Sequence, residues 1–239
     1  MFKHKLNETA SPKTYADWFL LAFLAGNINT GGFLSAGRFV SHVTGFATLT
    51  GIGFAKGNFL EAIGLMSIPI YFLAGAMVSG YMTERQRSID VHSQKYAPVM
   101  GIVAFLLALV TVGGAANLFG GFGAPVNLGH DYFLLALLCG ACGLQNAAIT
   151  SASGSTVRTT HLTGLTTDLG LGIIRAEVHY ASKEAQAADR KSNLLRVSTI
   201  VSFFLGSLIG AFFYTHFQYL GFLLPMVLAI YASFSAARN

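Results

Sequence analysis

The sequence predicts an all-α polytopic membrane protein with six transmembrane helices plus two short intramembrane helices, arranged as an inverted repeat. Three observations carry that expectation. Hydrophobic residues make up 53% of the 239, charged residues only 10%, and the mean hydropathy is +0.57, which is more apolar surface than one soluble core can enclose. Six runs (15–36, 59–82, 97–119, 131–152, 197–216 and 218–236) are long enough to cross the bilayer, since about 30 Å of hydrocarbon takes about 20 helical residues. Finally, a glycine-rich segment occurs twice. Ser41-His42-Val43-Thr44-Gly45-Phe46-Ala47-Thr48-Leu49-Thr50-Gly51-Ile52-Gly53 returns as Thr160-His161-Leu162-Thr163-Gly164-Leu165-Thr166-Thr167-Asp168-Leu169-Gly170-Leu171-Gly172. His42, Thr44, Gly45, Thr48, Gly51 and Gly53 each meet an identical residue.

Taken in order, the chain opens on a cytoplasmic tail, 1–14, whose Lys3, Lys5 and Lys13 lead into a full-length span with no small-residue cleavage site, so no cleavable signal is expected. The first membrane repeat, 15–119, holds a long span, the short stretch 42–57 and two more long spans. An extracytoplasmic loop, 120–130, leads to the second repeat, 131–236, in which the short stretch is 161–175. As helices the short stretches reach roughly 24 Å, marginal for a crossing. The segment 176–196 is charged, alanine-rich and has no counterpart in the first half, and it is expected to form a cytoplasmic surface helix with a solvated face.

Charge placement discriminates between six and eight crossings. With six, and the N-terminus inside, only Arg38 and Lys56 among the basic residues face outward. With eight, Arg38, Arg85, Arg87, Lys95 and Arg158 all do, so the excess of cytoplasmic Lys and Arg prefers six. Each half then starts from the opposite face and both termini are cytoplasmic. The net charge of +5 is explained by orientation in the membrane, and no nucleic-acid partner is expected. The duplication extends into the long spans: Gly26-Asn27-Ile28-Asn29 matches Gly143-Leu144-Gln145-Asn146, and Phe72-Leu73-Ala74-Gly75 resembles Phe203-Phe204-Leu205-Gly206.

Short, polar-headed, glycine-rich segments in matching places are how half-helices at transporter binding sites read. Polar groups at membrane depth must find partners inside the protein or line water. The N-termini of the two short helices, with unpaired N–H groups and positive dipole ends, are expected to face one another and to favour a polar or anionic solute. Candidate solute-binding residues are Asn29, Thr44, Gly45, Gln145, Asn146, Arg158, Thr160, Thr163 and Gly164. His42, His161 and Asp168 are candidate proton or gating groups, and Asp168, whose matched position is Leu49, is expected to pair with Arg158 or His161. Each has a plainer alternative: threonines that cap their own helix, glycines that permit close packing, histidines that only hydrogen-bond. Cys139 and Cys142 form a C-x-x-C inside an apolar helix beside Gly140 and Gly143, with no second pair of ligands, so packing is expected, and neither a metal nor a cofactor.

The segments Gly26-Asn27-Ile28-Asn29-Thr30, Phe39-Val40-Ser41-His42-Val43-Thr44-Gly45, Gly143-Leu144-Gln145-Asn146-Ala147 and Val157-Arg158-Thr159-Thr160-His161-Leu162-Thr163-Gly164 together resemble the YoaK family of bacterial membrane proteins, from about 15 to 236. The resemblance implies a multi-pass protein of the bacterial inner membrane and, the family being a domain of unknown function, no substrate. Family members usually carry Asp at the position of Asn29 and Asn at that of Phe46, whereas the second half keeps its pattern. The expected function is a transporter or channel-like protein for a small polar solute, with the two halves rocking about the site. The alternative is a non-transporting sensor or assembly protein whose short helices are purely structural. An enzyme is not expected, since no nucleophile-and-base set or H-E-x-x-H motif is present. The lipid bilayer and the solute are the expected partners, and oligomeric state is left open.

Overall fold

The computed structural model describes residues 12–89, 96–124, 128–153, 159–177 and 183–237, and among these every regular element is a helix. In order they are α1 (Pro12–Ala36), α2 (Val43–Ala55), α3 (Phe59–Ile89), α4 (Tyr96–Ala115), α5 (Leu128–Ala152), α6 (Leu162–Glu177), α7 (Lys183–Phe217), a 3-10 turn (Gln218–Phe222) and α8 (Leu223–Ala237). Four of the long apolar runs coincide with α1, α3, α4 and α5, and the fifth candidate span runs unbroken from Lys183 to Ala237. Within it the sequence-based division near 217 is real, because Gln218 takes a left-handed φ of 52° and the 3-10 turn separates α7 from α8. Residues 183–196 of the charged insert do not form a helix of their own. They are the first turns of α7, since Ala, Glu, Lys, Gln and Leu carry the helix on with no Gly or Pro to end it. Residues 178–182 lie outside the described set.

The outer surface is apolar, with Leu60, Leu73 and Met77 of α3, Val112 of α4, Phe212 of α7 and Phe234 of α8 all more than half exposed. A soluble domain does not present such a surface all round, and a lipid-facing one does.

The helices pair across the duplication. The first helix of one half packs on the third of the other: α1 with α7, and α5 with α3. Both crossings are built alike. A Cβ on Gly26 would overlap the carbonyl oxygen of Phe203 and one on Gly206 that of Phe23, while a Cβ on Gly143 would overlap the carbonyl of Phe72 and one on Gly75 that of Gly140. Backbone thus touches backbone at four matched glycines, which is the route by which helices gain packing energy without a hydrophobic drive between them. At the first crossing Ser207 Oγ donates to the Gly26 carbonyl (3.2 Å) and Asn27 Nδ2 to that of Gly206 (3.3 Å), while Tyr214 OH donates to Asn27 Oδ1 (2.8 Å). The equivalents of Asn27 and Tyr214 are Leu144 and Thr83, so this polar clamp belongs to one half only.

Contacts also fix directions. α1 and α7 run parallel, with Gly206, Gly210 and Tyr214 meeting Phe23, Asn27 and Gly31 in turn. In α3 and α5, Gly64 meets Tyr132 and Gly75 meets Gly140 and Leu144, again parallel. α4 and α8 are antiparallel: Ser233 Oγ donates to the Ala97 carbonyl (2.7 Å) at one end, and Gly114 lies against Tyr219 at the other. α1 and α5 are antiparallel too, since Gly123, ahead of α5, donates its N–H to Ser35 near the end of α1 (3.2 Å), while Gln145 near the end of α5 donates to Leu21 near the start of α1.

Candidate functional site

Each short helix hangs from one long one. The chain leaves α1 at Gly37, whose φ of 63° suits glycine, and turns back so that Ser41 reaches Asn29, about two turns before the end of α1. There Asn29 Oδ1 accepts two hydrogen bonds, from Ser41 Oγ (2.9 Å) and from the Ser41 N–H (3.3 Å). α2 starts from this anchor and closes against α3, with Gly53 packed on Ala62 and the Asn58 N–H bonded to the Gly53 carbonyl. α6 repeats the plan. Gly172 packs on Asn193 of α7, Gln186 Nε2 donates to the Ala176 carbonyl (2.8 Å), and Arg175 lies 3.6 Å from Asp189.

The two tips, expected to face one another, make no contact: among the described elements α2 packs only on α3 and α6 only on α7. His42, Thr44, Gly45, His161, Thr163, Gly164 and Asp168 are all exposed on the flanks. Asp168 forms no ion pair among the described residues, His161 included; Arg158, the other expected partner, lies outside them. The matched glycines divide by role. Gly53 and Gly172 allow close packing, whereas a Cβ on Gly51, Gly164 or Gly170 would meet open space and one on Gly45 barely touches His42. His42 stands at the N-terminus of α2 without a side-chain cap, its ring edge-on to Phe39 at 5.3 Å. Thr48 and Thr167 bond back to the carbonyls of Thr44 and Thr163, at 3.4 and 3.0 Å.

A cavity of about 230 Å³ opens beside the start of α2, lined by Phe33, Gly37, Arg38, Phe39, His42, Gly45, Phe46 and Leu49. It is mostly apolar, and its one guanidinium, Arg38, leans 3.7 Å from Glu61. Arg38 was not among the sequence-derived candidates.

Three of the second-half candidates, Gln145, Asn146 and Thr160, are buried and differ from their first-half mates. Gln145 donates from Nε2 to the Leu21 carbonyl, joining α5 to α1, but its Oε1 has no partner. Asn146 Oδ1, matched to the doubly bonded Asn29 Oδ1, has none either. Nor has Thr160 Oγ1, matched to Ser41 Oγ. The chain from Asn146 to Thr160 is two residues longer than from Asn29 to Ser41, so its connection has the length to make the same contact and does not hold the second node in the arrangement of the first. Sequence reasoning missed two neighbours. Asp17, 3% exposed, has an unpartnered Oδ2, and Thr159, fully buried, an unpartnered Oγ1. A carboxylate inside an apolar run was the available signal for Asp17, obscured because its counterpart is Leu134 and the repeat does not mark it. Among the described residues no group of His, Cys, Asp and Glu is placed to hold a metal ion.

The apolar exterior, the glycine-spaced helix pairs and the buried polar set define a multi-pass helical membrane protein. The chain belongs to the family described as "Protein of unknown function (DUF1275)", which it matches over residues 18–235. No curated protein and no solved structure matches it.

Proposed function

We propose that the protein is a transporter or channel-like carrier of a small polar solute, lying in the bacterial inner membrane with both termini cytoplasmic, six crossings and two dipping helices in an inverted repeat, and catalysing no reaction of its own. The antiparallel run of α4 and α8 supports six crossings, since eight would make these two parallel. The placing of α1's end and α3's start together, with Arg38 beside Glu61, supports a dip: α2 begins at the depth of Asn29 and leaves by the end it entered.

One observation carries the reading of transport. Two equivalent polar nodes, one in each half, stand in different states: Asn29 with Ser41 is closed by hydrogen bonds, and Asn146 with Thr160 is open. Halves related by inversion and caught in unlike states are what alternating access requires of a resting carrier. The test is flux. Purified protein in liposomes is expected to accelerate entry of at least one small polar solute from a radiolabelled set over protein-free liposomes. No acceleration for any member sinks the reading.

A second reading has its own support. The short helices lie on the flanks and do not meet, as in a sensor or assembly protein where they only brace α3 and α7. Flux at the protein-free rate, together with a partner protein co-purifying through the exposed faces of α2 and α6, favours it.

A further inference from the structure

Four unpartnered buried polar atoms lie where the start of α1 meets the end of α5, and two more follow along the chain. Asp17 Oδ2 and Trp18 Nε1 lie near the start of α1, Gln145 Oε1 and Asn146 Oδ1 near the end of α5, and Thr159 Oγ1 and Thr160 Oγ1 on the approach to α6. Asp17 and Trp18 precede Leu21 by four and three residues and so share its helical face, and the Leu21 carbonyl is where Gln145 docks. The antiparallel run of α5 along α1 brings its end to the same end of the bundle. The opposite end, where Asn29 and Ser41 occupy the equivalent place, has its donors and acceptors matched.

Resting on the transport reading, we infer that this region is a solute site, and that its ligand is a small molecule offering N–H donors, an amine or a primary amide, rather than a bare anion. The donor and acceptor inventory decides the class. Two amide oxygens and one carboxylate oxygen each need a donor, the two threonine hydroxyls can give or take, and the Trp18 N–H alone must find an acceptor. Chloride or sulfate would leave the amide oxygens as they are and stand beside Asp17. Buried polar atoms are expensive to leave without partners, and those of a binding site are satisfied by what it binds. The solute class differs from the anionic occupant that the dipole ends of α2 and α6 alone would suggest.

Trp18 is the one tryptophan of the chain, and it reports on the site. Full-length protein in detergent, titrated with methylammonium chloride and with acetamide, is expected to give a saturable change in Trp18 fluorescence with at least one of them and none with sodium chloride or sodium sulfate at equal ionic strength. Asn146→Leu and Thr160→Val are expected to move the midpoint at least 10-fold higher, with Cys139 and Cys142 remaining as unreactive to a maleimide as in the parent. Asp17→Asn is expected to weaken methylammonium more than acetamide. An equal response to sodium sulfate overturns the proposal. So does a flat titration with both donors, which assigns the atoms to water, or a midpoint unmoved in both variants. Saturable binding without liposome flux would keep the site and sink transport; flux indifferent to both variants would do the reverse.

Discussion

Gly26→Ala is expected to destabilise the bundle by about 2–3 kcal/mol. A methyl group there overlaps the Phe203 carbonyl oxygen, and since carbon-to-oxygen contacts settle near 3.3 Å, α1 and α7 must part by about 1 Å. A gap of that size forfeits up to half of each dispersion contact. With about 20 heavy-atom pairs at the crossing and about 0.15 kcal/mol in each, roughly 1.5 kcal/mol is lost. The Asn27 Nδ2 bond to Gly206, already 3.3 Å long, is stretched past usefulness, adding about 1 kcal/mol. For a chain of this size the sum is a fall of about 5–10 °C in midpoint. Cys139 and Cys142 are 0% and 1% exposed, so a fluorogenic maleimide reads unfolding without any added label. Gly143→Ala, at the matched crossing, should fall by a similar amount without the amide contribution. Gly51→Ala, in open space, should be neutral or gain up to about 1 kcal/mol from helix propensity. Equal midpoints for Gly26→Ala and Gly51→Ala would refute the packing argument, and a large loss at Gly51→Ala would mean that the outer face of α2 is covered.

Asn29→Leu leaves the Ser41 N–H and hydroxyl without their acceptor and should cost about 1–3 kcal/mol in the same assay, whereas Asn29→Asp keeps the acceptor and should stay close to the parent. Lys56→Cys and Lys183→Cys should label from opposite sides of the membrane with an impermeant maleimide; labelling from the same side would restore eight crossings and remove the inverted arrangement. Asp168→Asn, on the exposed face of α6 and without a described ion pair, should change stability by less than about 0.5 kcal/mol.

Helix positions were legible in the sequence because length and apolar run decide them: α2 and α6 fall within two residues of the short stretches 42–57 and 161–175, and α5 ends where its run ends. Pairing was less legible. Gly26, Gly75, Gly143 and Gly206 were visible as matches, but that each would meet the third helix of the other half is a property of long-range packing that no local pattern encodes. Of the candidates picked out in the sequence, Gln145, Asn146 and Thr160 are buried with unmet hydrogen bonds, whereas Thr44 and Thr163 at the helix tips are exposed. The repeat limits what can be read, because symmetry marks what the halves share: Asp17 and Asn27 match the apolar Leu134 and Leu144, and Tyr214 matches Thr83, which lacks its ring.

Because α1 is clasped by α7 and α3 by α5, neither half is a finished body. During synthesis the amide of Asn27 has to wait in lipid for a tyrosine 187 residues further along, and the bare glycine seam beside it waits for the same helix. Severed within 116–124, the two pieces would need to be made together and to find each other in the bilayer, much as the subunits of an obligate dimer do.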